Sequence, residues 1–232
     1  MKPIRIFRHI DCEGPGYLAE YLDQRSTDYE LIAIDAGEPV PATTQDAAGL
    51  VFMGGSMSVN DDLPWIAQEL ALIREAVERE IPVMGLCLGS QLISKALDAK
   101  VSAGPCMEIG WHPVQRVASS DPWLNGLPAE FDAFHWHGET FELPANANLL
   151  LSSALYPNQA YSLGPHLALQ CHVEMTGDLV REWARRYADD LQRSCTPEHD
   201  AKALCENLDQ RVSSLQSIAK MLFERWLENC RF

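Results

Sequence analysis

"VMGLCLGSQ" (83–91) places one cysteine between two glycines, behind an apolar run and ahead of a helix-like stretch. The run "IPVMGL" (81–86) is continuously apolar, which a strand covered on both faces of a parallel sheet requires. "LGSQLISKAL" (88–97) reads as the helix that follows it. A strand turning directly into a helix is the repeating unit of doubly wound α/β sheets, and their ligands bind beyond the carboxyl ends of the strands. Cys87 sits at that end.

The same alternation extends toward the N-terminus. "IRIF" (4–7), "YELIAID" (29–35) and "GLVFMGG" (49–55) read as strands, and "GYLAEYLDQR" (16–25) reads as a helix. "LPWIAQELALIREAVERE" (63–80) repeats apolar side chains at Ile66, Leu70, Ile73 and Val77 with Pro64 at its start, the period and opening of a helix. Beyond residue 100 the pattern shortens. "IGWHPVQRVA" (109–118), "FDAFHWHG" (131–138), "NLLLSS" (148–153), "QAYSL" (159–163) and "HLALQCHVE" (166–174) predict strands that extend the sheet or form an antiparallel flap beside it. Gly138 is expected to end its strand before Glu139. From Thr176 the chain turns helical, with Leu179, Trp183 and Tyr187 on one face, and "SLQSIAKMLFERWLEN" (214–229) is the last helix. The expected architecture is α/β: a mostly parallel, doubly wound, flavodoxin-like sheet flanked by helices, with a small antiparallel extension. Residues 1–232 are expected to form one domain, with 191–232 a C-terminal helical extension packed on it.

Composition narrows the function classes. Lys and Arg number 18 against 33 Asp and Glu, a formal charge of −15, which repels phosphate backbones and anionic lipid. No nucleic-acid or membrane partner is expected, and no apolar run approaches a membrane span. Arg5, Arg8 and His9 interrupt the N-terminal apolar stretch, which suits a first strand better than a signal peptide. Seven cysteines without framework spacing point to a reducing compartment, read here as the cytoplasm. The six cysteines other than Cys87 are expected to be structural or at the surface.

Cys87 has two readings. Free cysteine is often a small buried hydrophobe. Against that, a sharp strand-to-helix turn needs Cβ-free neighbours, which Gly85 and Gly89 supply, and the helix N-terminus favours a thiolate. Chance would place G-x-C-x-G only about 0.025 times in a chain of this composition, so the nucleophile reading is preferred. A cysteine nucleophile needs a base. "CHVE" (171–174) offers His172 with Glu174 two residues on; on a strand both would share a face, and Glu174 would orient the imidazole. Cys171 would project to the opposite face.

"GLCLGSQ" (85–91) followed some eighty residues later by "CHVE" resembles a class I, triad-type glutamine amidotransferase, and is most similar to free-standing members related to the glutaminase part of GMP synthase. The resemblance runs from the first strand to about residue 190 through "EGPG", "MGGSMSVND", "MEIGWHPV" and "FHWHGETFELP". It implies that Cys87 attacks the side-chain amide of glutamine, that His172 serves as base and then acid, and that Glu174 orients it. It further implies an oxyanion hole formed by the backbone N–H groups of Gly55 and Leu88, and a substrate pocket that includes Gln91 and His137. No cofactor is implied. The substrate is expected to be glutamine or another γ-glutamyl compound. No segment resembles the ATP-using part of GMP synthase, so an ammonia acceptor would sit on a separate synthetase subunit.

Two other readings stay open: a γ-glutamyl peptidase acting on glutathione-like conjugates, and a non-catalytic binding or regulatory module on the same fold. His135, His137 and Glu139 alternate along one predicted strand, a spacing that suits a metal, but the expectation is that no metal is held and that this segment walls the pocket. Trp111, Trp123 and Trp136 are expected to pack.

Overall fold

In the computed structural model, which describes residues 2–117, 121–195 and 200–232, strand and helix alternate through the first hundred residues. The order is β1 (Ile4–Arg8), α1 (Tyr17–Gln24), β2 (Tyr29–Ala33), β3 (Gly49–Phe52), α2 (Pro64–Glu78), β4 (Val83–Leu86) and α3 (Leu88–Ala96). Then come β5 (Val101–Arg116), β6 (Glu130–Phe141), β7 (Asn148–Ser152), β8 (Ala160–Leu163) and β9 (His166–Leu169), followed by α4 (Gly177–Arg186), α5 (Ala201–Leu204) and α6 (Leu208–Asn229).

Among the described residues one nine-stranded sheet forms in the order β2-β1-β3-β4-β9-β8-β7-β5-β6. β2, β1, β3, β4 and β9 are parallel neighbours, the flavodoxin-like winding. β9-β8-β7-β5-β6 pair antiparallel.

The apolar runs are continuous because both faces are covered. Val51, Met53, Met84 and Leu86 point into one core with Leu18 and Leu22 of α1, Trp183 of α4, and Leu215, Leu222, Phe223 and Trp226 of α6. Leu50, Phe52 and Val83 point into the other, with Ile66 and Ile73 of α2 and Leu92 and Ile93 of α3. α6 therefore closes the sheet on the α1 side, starting six residues earlier than the sequence pattern suggests. No described helix is long and apolar enough to cross a membrane.

The antiparallel part is larger than the short strands predict. β5 starts at Val101 rather than near Ile109 and absorbs a register shift between Ala103 and Glu108, around Gly104 and Pro105. Ala118, the end of that expected strand, lies outside the described residues. Gly138 does not end β6, which continues through Glu139 to Phe141 because its β5 partner extends equally far.

The consequence for the site is positional. The carboxyl ends of four adjacent parallel strands bring together the segments after β1 (His9–Glu13), β3 (Met53–Gly55), β4 (Cys87) and β9 (Gln170–Glu174).

Candidate active site

Cys87 occupies the turn between β4 and α3 with φ 50° and ψ −107°, a conformation that costs an L-residue about 1–3 kcal/mol. Tight packing holds it there. A Cβ on Gly85 would lie 2.6 Å from the Ser90 amide nitrogen, and one on Gly89 would lie 2.6 Å from the Phe52 carbonyl carbon. Both glycines are thus required by the close approach of strand and helix. The Cys87 N–H donates to the Leu169 carbonyl at 2.8 Å, and its own carbonyl accepts from Ser90 Oγ at 2.6 Å.

The sulfur is buried but not sealed in by aliphatic groups. Gln170 Nε2 lies 3.6 Å from Sγ, and Sγ lies 3.8 Å from the Trp136 carbonyl oxygen. Cys87 lines a cavity of about 640 Å³ together with Glu13, Gly55, Gln91, Trp136, His137 and Tyr187.

His172 is presented differently from the sequence expectation. β9 ends at Leu169, and His172 follows in an extended segment whose N–H donates to the Phe134 carbonyl of β6 at 2.8 Å. The i,i+2 geometry survives: Nδ1–H donates to Glu174 Oε1 at 2.7 Å. Trp183 packs edge-on to the imidazole, with centroids 4.8 Å apart. Nε2 is buried with no hydrogen-bond partner among the described residues. Burial opposes charging this ring, but the Glu174 carboxylate and the Cys87 sulfur outweigh it and hold the His172 pKa well above its usual 6.5. Cys171, the neighbour, is fully buried and its thiol is pushed far up by desolvation.

Gly55 lines the cavity, and a Cβ placed on it would come within 2.7 Å of Leu88 Cδ2, so the β3 turn and the start of α3 touch. Neither the Gly55 nor the Leu88 N–H donates to an acceptor among the described residues. Leu88 is the first residue of α3, where an amide has no intrahelical partner. Gln91, one turn on, is buried and reaches Gln170 Oε1 at 3.1 Å.

His137 lines the cavity, but both its nitrogens are engaged: Nδ1 with the Glu139 carbonyl at 3.1 Å and Nε2 with Glu108 Oε2 at 3.0 Å. Glu139 does not join the two histidines, because its carboxylate accepts from Ser58 Oγ at 2.9 and 3.0 Å. Glu108, the cross-strand partner of His137 on β5, takes its place. Ligand atoms of Glu108, His135 and His137 lie within 4.8 Å of one another. That carboxylate also accepts from Ser153 Oγ at 2.7 Å and Gln159 Nε2 at 2.6 Å, so both its oxygens are engaged by protein donors. Burial opposes its ionisation, yet the His135 and His137 contacts prevail and keep it far below the usual carboxylate range.

The sequence reading missed Glu13. It is buried beside the imidazole: a Cβ on Gly54 would lie 2.5 Å from Glu13 Oε2 and 3.1 Å from His172 Cε1. Tyr187 Oη donates to its Oε1 at 2.7 Å, and burial pushes its pKa up. Two of the other cysteines, Cys106 of β5 and Cys195, are joined in a disulfide, a pairing that their spacing in the sequence does not indicate. A register shift in β5 and the pairing of Met107 with Ser194 bring these sequence-distant positions side by side.

Comparison with known proteins agrees with this fold. The crystal structure of a glutamine amidotransferase from Methylobacillus flagellatus superposes with a TM-score of 0.94 at 36% identity, covering 100% of this chain and 96% of that one. The glutamine amidotransferase-like protein YfeJ of Salmonella typhimurium is 30% identical over 180 residues, 74% of this chain and 75% of its own length. Gamma-glutamyl peptidase 4 of Arabidopsis thaliana is 29% identical over 154 residues, 63% of this chain and 61% of its own. The chain spans only 23% of a GMP synthase from Thermomicrobium roseum that it also matches. The family model "Glutamine amidotransferase class-I" matches residues 9–181, most of the chain including the segments after β1, β3, β4 and β9 that form the site, and the protein belongs to that family.

Proposed function

We propose that this protein hydrolyses a γ-glutamyl amide, with glutamine as the first substrate to test, through a Cys87–His172–Glu174 triad. The observation that carries the reading is a buried imidazole with one nitrogen committed to a carboxylate and the other left unpartnered beside a cysteine in an elbow turn. With the thiol proton already on His172, the Cys87 thiolate attacks the amide carbon to form a C–S bond and a tetrahedral oxyanion. The Gly55 and Leu88 amides would receive that oxygen; each such donor is worth roughly 3 kcal/mol in a transition state. His172 then protonates the leaving nitrogen, the C–N bond breaks, and ammonia departs from a γ-glutamyl thioester. Water, deprotonated by His172, hydrolyses the thioester to glutamate and restores the thiol. Gln91 shapes the pocket wall, and His137 contributes ring surface.

A second reading, a γ-glutamyl peptidase, is favoured by the cavity volume of about 640 Å³, which leaves room beyond a single amino acid, and by the similarity to a plant gamma-glutamyl peptidase. We read residues 1–232 as one amidotransferase-like domain acting in the cytoplasm, with a separate synthetase subunit as the destination of any transferred ammonia. The test is a panel of glutamine, glutathione and γ-glutamyl dipeptides, scored for ammonia and glutamate with and without cell extract. Release that Cys87→Ala abolishes supports the triad. Activity that survives Cys87→Ala overturns it.

A further inference from the structure

A second buried histidine meets a glutamate at the other side of the β3 turn, and the chemistry above leaves it without a role. His9 follows β1. Its Nδ1 lies 3.1 Å from the Met53 carbonyl oxygen and 3.2 Å from that of Gly54, and its Nε2 lies 3.1 Å from Glu69 Oε2. Carbonyl oxygens only accept, so Nδ1 carries a proton and donates it to this pair. Both side chains of the His9–Glu69 pair are fully buried, and Trp65 stacks on the imidazole at 4.9 Å.

What His9 grips is the peptide that ends in Gly55. No peptide bond in the described chain is cis. In a trans peptide the carbonyl of one residue and the N–H of the next point in opposite directions within one plane. With the Gly54 oxygen drawn toward the buried His9, the Gly55 N–H points the other way; Gly55 lines the cavity with Cys87, and His9 does not. The grip is needed because both flanking residues are glycines. A Cβ on Gly54 would meet Glu13 Oε2 at 2.5 Å, and one on Gly55 would meet Leu88 Cδ2 at 2.7 Å. A Cβ at either position would have to push one of these side chains aside, and glycine at both leaves the peptide free to rotate.

We propose that His9, held by Glu69, is a positioning residue that fixes the Gly54–Gly55 peptide so that the Gly55 N–H faces the oxyanion formed at Cys87. The proposal rests on the reading of Cys87 as an acyl-transfer nucleophile, but not on the identity of the acyl donor. Burial works against a charge on His9; Glu69 and the two carbonyls outweigh it and raise its pKa, which keeps the ring a donor at both nitrogens.

The test compares two reactions at Cys87. In acylation by p-nitrophenyl acetate the thiolate attacks the ester carbonyl, a tetrahedral oxyanion forms, and p-nitrophenolate leaves. In alkylation by iodoacetamide the thiolate displaces iodide and no oxyanion forms. Asn places its amide nitrogen near the position of Nδ1, whereas Gln reaches toward Glu69 instead. His9→Asn should acylate within about threefold of wild type, and His9→Gln about ten- to a hundredfold more slowly, with alkylation of both within about twofold. If His9→Gln does not fold, the double variant His9→Phe, Glu69→Leu leaves no unpaired buried charge and carries the same expectation as His9→Gln. Acylation at the wild-type rate in the variants lacking the Nδ1 donor overturns the proposal. So does equal loss of acylation and alkylation, or a wild-type enzyme acylated no faster than free cysteine. Glutamine hydrolysis by the wild type is scored alongside. Its absence with acylation intact overturns the γ-glutamyl reading and leaves the His9 assignment standing.

Discussion

His166 gives a pH dependence of stability whose sign and size follow from one buried ring. It lies at the start of β9, and its Nδ1 accepts the Val83 N–H of β4 at 3.2 Å, a bond that only an unprotonated Nδ1 makes. Burial lowers its pKa from 6.5 to about 4. Because the folded pKa lies below the unfolded one, the unfolded chain binds the proton first as pH falls. Stability is intact above about pH 6.5 and is lost progressively down to about pH 4. The full window is worth about 3 kcal/mol, and the part between pH 7 and pH 5 about 2 kcal/mol. His9 and His172, with raised pKa values, act in the opposite sense and are common to both proteins being compared. The perturbation is His166→Asn, whose amide oxygen takes the Nδ1 position and accepts from Val83 without titrating. Urea unfolding at pH 7 and pH 5 should show wild type losing about 2 kcal/mol more than the variant. Equal losses would refute the argument that this ring is kept neutral by burial.

Glu174→Gln removes the charge that helps hold His172 protonated, so the His172 titration midpoint, followed by NMR, should fall toward 6.5 and kcat should drop roughly hundredfold. Gly89→Ala places a Cβ 2.6 Å from the Phe52 carbonyl carbon, a backbone atom that cannot swing aside, and should cost about 2–3 kcal/mol in chemical denaturation while displacing Cys87. With Cys106 and Cys195 joined, thiol titration of the denatured, unreduced protein should count five of the seven cysteines, rising to seven after reduction.

What could be read from sequence was local. The G-x-C-x-G turn is a backbone requirement written in adjacent residues, and Gln91 follows it by one helical turn, so both were legible. His172 and Glu174 were legible as a pair because two residues of extended chain suffice to join them, although the segment is not part of β9. The misreadings came where partners lie across strands. The i,i+2 spacing of His137 and Glu139 suggests a pairing along one strand, but the carboxylate on His137 is Glu108, directly opposite on β5. Glu13 reaches the site through Tyr187, 174 residues away, and His9 finds Glu69 at a separation of 60. Such contacts depend on which strands become neighbours, and nothing in a residue's own surroundings reports that.

The two histidine–glutamate pairs around the β3 turn differ in how many ring nitrogens they leave free, and that difference separates their effects. Burying either pair costs desolvation that apolar replacements would avoid. At His172 one nitrogen is bound to Glu174 and the other is unpartnered next to the sulfur, an arrangement that suits the proton transfer proposed for it. At His9 both nitrogens are engaged by acceptors, so neither is available to the sulfur, and on the proposed assignment the ring only holds a peptide in place. If His172 is the base proposed here, losing its imidazole should slow every reaction of the thiol, alkylation included. Losing that of His9 should slow only those reactions in which negative charge builds on a carbonyl oxygen. A variant at His9 that alkylates as slowly as one at His172 would mean that the first pair, too, acts on the sulfur.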